Sequence, residues 1–260
     1  MNWRFLDSGY GSGGINMRID VSLADQMLTK SPPPILRLYG WRPAAISIGV
    51  NQEANDFDLH KLKQAGIDIV RRPTGGRAIL HDNELTYSVV IPLQERSPRQ
   101  VYRLINEGLL CGLQILGISA ELTGQDDPFS SFYKDPASVP CFASSAKSEI
   151  KCNCKKLVGS AQRRYGNVIL QHGSLLLGPE HLHITRYFAP HVSHSAVTIE
   201  KDLLNHTVDA SSILGRAVTF KESVVAVKKG FEDSLGINFE TVCWEGFEQD
   251  HAKHEHLTPA

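Results

Sequence analysis

The stretch Val70–Val90, VRRPTGGRAILHDNELTYSVV, places three arginines, two adjacent glycines and a His-Asp pair within twelve residues, between apolar, strand-like runs. Adjacent glycines after a strand reach dihedrals closed to other residues and let a ligand touch bare backbone. Strand alternation sends Arg71 and Arg72 to opposite faces, so one of them can point at a site. Arg77 follows the glycines, and His81 ends the next short strand, where it reads either as a turn cap or as a ligand-facing imidazole. Fixed cations beside open backbone suit a ligand with an anionic phosphate and a chain lying over Gly75 and Gly76.

Outward from this segment the pattern alternates between strands and helices. NWRFLDSG reads as a strand, and INMRIDVSLADQML as a helix with Ile15, Ile19, Leu23 and Met27 on one stripe. Between them, Gly9-Tyr-Gly11-Ser-Gly13-Gly14 matches G-x-G-x-x-G. A dinucleotide site also needs a following parallel strand that ends in an acid. Here Ser31-Pro-Pro-Pro and ILRLYGW follow, with no acid at the end, so a flexible glycine turn is the better reading. ILRLYGW and AAISIGV read as a hairpin joined at Trp41-Arg42-Pro43.

DFDLHKLKQAG is a short helix stopped by Gly66, and SPRQVYRLINEGLLCGLQILG an amphipathic helix begun by Ser97-Pro98 and ended by Gly117. Residues 124–140 carry no period and read as a loop. The stretch from Ser144 to Leu177 reads as three strands with turns at Asn153 and near Gly166, and ESVVAVKKGFEDSLG as the last helix. The sum is an α/β (α+β) domain: a mixed, largely antiparallel sheet with packed helices, one domain over residues 1–250 and a polar, frayed tail over 251–260.

Composition bounds the function. The 260 residues are 42% apolar and 21% charged with a net charge of −1, so neither nucleic acid nor a membrane is an expected partner. No apolar run approaches a bilayer span, and MNWRFLDSGYGSGG has no secretory h-region, which points to the cytoplasm. Locally, Lys147, Lys151, Lys155, Lys156, Arg163 and Arg164 face Glu149 alone, either a solvated face or a docking patch for an acidic partner.

Five cysteines are odd in number and the context reads as cytosolic, which disfavours a disulfide framework. Cys152-Asn-Cys154 lacks a second Cys/His pair at zinc spacing, which disfavours a metal site. Cys111 sits in a helical apolar pattern, whereas Cys141 follows Pro140 in a polar loop where its sulfur is accessible. A nearby ammonium lowers a thiol's pKa, so cysteine next to lysine is a nucleophile pattern. Lys156 could also be a salt-bridged surface lysine. Cys154, two residues from Lys156, shares its face if both lie on one strand and so competes with Cys141.

RRPTGGRAILHDNELTYSV resembles the signature of the biotin and lipoate protein ligase superfamily. W41RPAAISIGVNQ52, K156LVGSAQ162 and the block Ile169–Leu177, ILQHGSLLL, agree in order over roughly residues 1–190. With P140CF142 ahead of KLVGSAQRR, the chain is similar to the superfamily's cysteine-dependent octanoyltransferases. That resemblance implies transfer of an octanoyl group from acyl carrier protein, through a thioester on Cys141 partnered by Lys156, to a lysine of a lipoyl-type carrier domain such as glycine cleavage H protein or a 2-oxoacid dehydrogenase E2. It implies no ATP and no metal, since thioester to amide runs downhill. Arg72, Gly75, Gly76, Arg77, His81, Gly159, Ser160, His172 and Gly173 become candidate substrate-binding residues, with backbone near Gly159-Ser160 steadying the oxyanion. Residues 190–260 are few for the accessory domain an ATP-dependent lipoate ligase often carries. An amidotransferase between lipoyl carriers shares the cysteine and the fold, and a non-catalytic carrier-binding protein is the remaining alternative.

Overall fold

The computed structural model describes residues 2–123 and 149–243. Its frame is an eight-stranded sheet, ordered β11-β1-β2-β6-β10-β9-β8-β7. The strands are β1 (Asn2–Gly11), β2 (Ile35–Trp41), β6 (Glu84–Pro92), β7 (Glu121–Leu122), β8 (Ile150–Cys152), β9 (Lys155–Tyr165), β10 (Val168–Leu176) and β11 (Asn238–Thr241). β11, β1 and β2 run parallel, and every pairing from β2 to β7 is antiparallel. A second, three-stranded sheet is ordered β4-β3-β5, from β3 (Ala45–Ile48), β4 (Asp68–Arg71) and β5 (Ile79–His81).

One face of the large sheet carries α3 (Pro98–Ile115) and α7 (Phe220–Leu235). Ser97 caps α3 through a reciprocal bond with Gln100, and Thr219 caps α7 by accepting from Glu222 N. The two helices cross in close backbone contact, because a Cβ on Gly230 would collide with the main chain at Gly112. Val101, Ile105, Leu109 and Leu113 of α3, with Val224, Val227 and Phe231 of α7, meet Leu85, Tyr87, Val89 and Ile91 of β6 in the largest apolar core. The other face carries α1 (Gly13–Lys30) over Leu6, Ile35, Val90 and Leu170. Beside α1 the same face carries the small sheet, closed by a 3₁₀ segment (Pro179–Tyr187) and the helix Ala196–His206.

Three expectations are corrected. The segments ILRLYGW and AISI do not form a hairpin. β2 pairs with β1 and β6 in the large sheet, while β3 pairs with β4 and β5 in the small one. Alternation defines a strand's faces but not its partner. The glycines at 9–14 do not form a flexible turn: β1 runs to Gly11, α1 starts at Gly13, and β2 returns parallel to β1. At that helix start Gly13 N donates to Asp68 Oδ2 at 3.1 Å, so a carboxylate from β4 takes the place an anionic ligand would use. One member of the basic cluster at 147–164 leaves the surface. Lys156 is buried against Glu149, Lys155 Nζ donates to Leu204 O, and Arg163 Nη1 donates to Pro73 O at 2.6 Å. Lys147 lies outside the described residues, as do the loop expected at 124–140 and the tail from His251. Among the described residues no helix is long and apolar enough to cross a membrane.

Candidate active site

Between the large sheet, α1 and the small sheet lies a small, partly open cavity. Of the residues singled out in the sequence, Arg72, His81, Gly159, Ser160, His172 and Gly173 line it together. Gly75 and Gly76 are exposed on the loop between β4 and β5 and, with Arg77, stand outside that lining. Its bare-backbone wall comes instead from β9 and β10. A Cβ on Gly173 would run into Gly159 O and the Tyr87 ring, so glycine here lets β9 and β10 pair closely beneath Tyr87.

His81 is buried and stacks on Trp41, with ring centres 4.0 Å apart and planes 10° from parallel. Its Nδ1 donates to Glu84 Oε1 at 2.8 Å and its Nε2 meets Ser47 Oγ at 2.7 Å. Arg72 Nη1 donates to that same Ser47 Oγ. Thr86 Oγ1 and Ser174 Oγ also donate to Glu84 Oε1, and Trp41 Nε1 donates to Thr86 Oγ1 at 2.7 Å. Burial pushes Glu84 up. The charge and hydrogen bond of His81, with the two hydroxyls, outweigh it and leave the carboxyl below its usual range.

A second network, which the sequence reading missed, centres on Asp20. His172 Nδ1 donates to Asp20 Oδ2 at 3.1 Å, and Thr74 Oγ1 meets His172 Nε2 at 2.7 Å. Arg37 Nη1 reaches Asp20 Oδ1 at 2.8 Å and Tyr39 donates its hydroxyl to Oδ2 at 3.0 Å. Burial pushes Asp20 up, but the His172 hydrogen bond and the Arg37 charge bring it below its usual value. Burial and the adjacent Asp20 charge hold Tyr39 neutral, well above an ordinary phenol. The missed signal is a spacing: Asn16 and Asp20 stand four apart beside the apolar stripe of α1, and Arg37 interrupts an apolar strand.

The two arginines before the glycines brace the loops. Arg71 Nη1 donates to the carbonyls of Gly49, Val50 and Gln52. Arg72 donates to the carbonyls of Ser47, Gly75 and Arg77, closing the glycine loop on itself. Arg72 therefore fixes the cavity wall while lining it.

Cys141 lies outside the described residues. Lys156 lies at the start of β9, 4% exposed, with its Nζ 2.6 Å from Glu149 Oε1. Cys154 is not on the strand with it. Asn153 and Cys154 both have positive φ, 50° and 63°, and form the tight turn between β8 and β9, with Cys154 exposed. The premise that made Cys154 share a face with Lys156 therefore fails. Cys152 is buried in the apolar core, where desolvation raises its thiol pKa.

Residues 12–232 match the model of the lipoyl protein ligase A/B catalytic domain, and the chain belongs to that family. Within it, the chain is 36% identical over 244 residues to octanoyltransferase LipM of Geobacillus kaustophilus (92% of this chain, 88% of that one). It is 39% identical over 246 residues to octanoyltransferase LipM of Kyrpidia tusciae (92% and 89%). Among solved structures, lipoate-protein ligase A bound with ATP superposes with a TM-score of 0.75 at 23% identity, covering 100% of this chain and 97% of that one, which establishes the fold.

Proposed function

We propose that this chain is an octanoyltransferase of lipoate biosynthesis, taking octanoyl from acyl carrier protein and delivering it to a lysine of a lipoyl-type carrier domain. The carrying observation is the 36–39% identity to relatives named octanoyltransferase over nine-tenths of the chain. The cavity is compatible: Met17, Ile79 and Ala161 supply apolar wall, and its polar groups are bonded to one another.

In this reading the Cys141 thiolate attacks the thioester carbonyl of the donor. A new C–S bond forms, the old one breaks, and the carrier's sulfur leaves as a thiolate that takes up the proton Cys141 gave up on ionising. The neutral ε-amine of the acceptor lysine then attacks the octanoyl-cysteine. A C–N bond forms, the C–S bond breaks, and the amine proton returns to the Cys141 sulfur. Lys156 is assigned the cation that offsets the developing negative charge, and backbone amides around Gly159-Ser160 are assigned to the oxyanion. Arg72, His81, His172 and Gly173 shape the acyl site; Gly75, Gly76 and Arg77, on the exposed loop, are assigned to the mouth. No nucleotide or metal enters these steps, and the setting is the cytoplasm.

The test mixes the purified chain with octanoyl-acyl carrier protein without ATP and reads intact mass, then the modified peptide. One octanoyl group on the Cys141 peptide, released by hydroxylamine and absent in Cys141→Ser, is the expected result. Label on Cys154 would move the site. Loading of free octanoate only in the presence of ATP, with no covalent adduct, would replace the proposal with a ligase.

A further inference from the structure

We infer that Glu149 is a positioning residue for Lys156, which a β-bulge turns onto the cavity face of the sheet; the inference rests on the reading of Lys156 as partner of the reacting thiol.

The strand register carries it. Ile150 pairs with Val158, but the next residue, Lys151, pairs with Lys156, so Leu157 is an extra residue in β9. Leu157 and Val158 both enter the apolar core under α3 and α7, together with Ile150 and Cys152. Unbroken alternation from Val158 would send Lys156 into that same core. The bulge reverses its direction and sets it on the opposite face, which Gly159 and Ala161 of the cavity wall share.

Glu149 completes the arrangement. It immediately precedes β8, and alternation places it on the face of Lys151 and Lys156, opposite Ile150. Its carbonyl accepts from Thr123 N at 2.9 Å and from Thr123 Oγ1 at 3.1 Å, so its backbone is held by the residue that follows β7. Lys156 is held on its other side, where its carbonyl accepts from Val208 N at 3.0 Å. With both backbones fixed, the side chains meet at 2.6 Å, 4% and 3% exposed. A buried ammonium needs a partner, and a carboxylate anchored this way dictates where it sits. Glu149 follows Cys141 by eight positions in the chain.

The experiment measures single-turnover formation of octanoyl-enzyme from octanoyl-acyl carrier protein, with KM and kcat of the full reaction, for the full chain and its Glu149→Gln, Glu149→Asp, Lys156→Met and Glu149→Gln/Lys156→Met variants. Glu149→Gln is expected to slow acylation about tenfold with KM within about twofold, and the double variant to be no slower than Lys156→Met. Glu149→Asp, which keeps the charge but draws it back by one methylene, is expected between Glu149→Gln and the unchanged chain. Should Glu149→Gln fail to fold, the Asp variant alone decides, since full-rate acylation in it would mean that placement of the carboxylate is irrelevant. Glu149→Gln at full rate beside a slow Lys156→Met would overturn the inference and leave Lys156's role standing, as would effects that multiply in the double variant. Lys156→Met at full rate would overturn the reading of Lys156 itself.

Discussion

The two faces of β6 and β10 are made from the same strands by alternation, yet they behave as different materials. Leu85, Tyr87, Val89 and Ile91 of β6, with Ile169 and Leu175 of β10, form a dry core against α3 and α7. Glu84 and Thr86 of β6, with His172 and Ser174 of β10, point the other way and are just as buried. There the covering α1 and small sheet supply Asp20 to His172 and His81 to Glu84 Oε1, while Glu84 Oε2 is buried with no hydrogen-bond partner among the described residues. The dry face derives its stability from area removed from water. The polar face has little of that gain, and its hydrogen bonds contribute modestly while fixing geometry around a cavity.

Perturbing one face at a time separates stability from activity. The largest effect is expected from Phe231→Ala in the dry core. Denaturant titration should show a loss of about 3–5 kcal/mol with an unchanged slope, while octanoyl transfer per folded molecule stays at its original value. A proportionate fall in transfer would mean the faces are not independent.

Acid comes next. Burial lowers the His181 pKa from 6.5 to about 4 on the cavity side. The unfolded chain therefore binds the proton first, and stability falls as pH drops from about 6.5 to about 4, by roughly 3 kcal/mol at most. His181→Gln should flatten that limb in pH-dependent unfolding. A remaining loss at still lower pH would come from Glu84 and Asp20, whose lowered values contribute stability that disappears as pH falls through them.

Glu84→Gln is expected to cost about 1–3 kcal/mol by unbalancing the His81 bond, and to reduce transfer by more than the folded fraction explains. Intact transfer in a folded Glu84→Gln would show that the polar face serves only cohesion. The smallest change should come from Arg103→Ala. It breaks an exposed pair with Glu107 at 3.2 Å and is expected to cost under about 0.5 kcal/mol with no kinetic consequence.

Much of this was legible in the chain. Ser97-Pro98 before an amphipathic run, Gly66 after a short one and the alternating blocks at 155–176 have local physical causes, and each element formed where expected. Of the Arg-Arg-Pro-Thr-Gly-Gly-Arg segment only Arg72 lines the cavity: its glycines lie outside it, and Arg71 and Arg72 brace loops. Polar residues alternating along β6 ordinarily mark a solvent face. Here they are covered, and only the partners brought in from α1 and the small sheet reveal why.

What the sequence alone determined, then, is what depends on neighbours a few residues away: capped helices, strands, the turn at Asn153, and a family pattern whose motifs are local. What tertiary structure decided is which strands pair, which glycines stand beside the cavity, and which way Lys156 points. A single inserted residue at Leu157 reverses a side chain without altering the strand's composition, and the carboxylate that receives it becomes a neighbour only when β8 folds back onto β9.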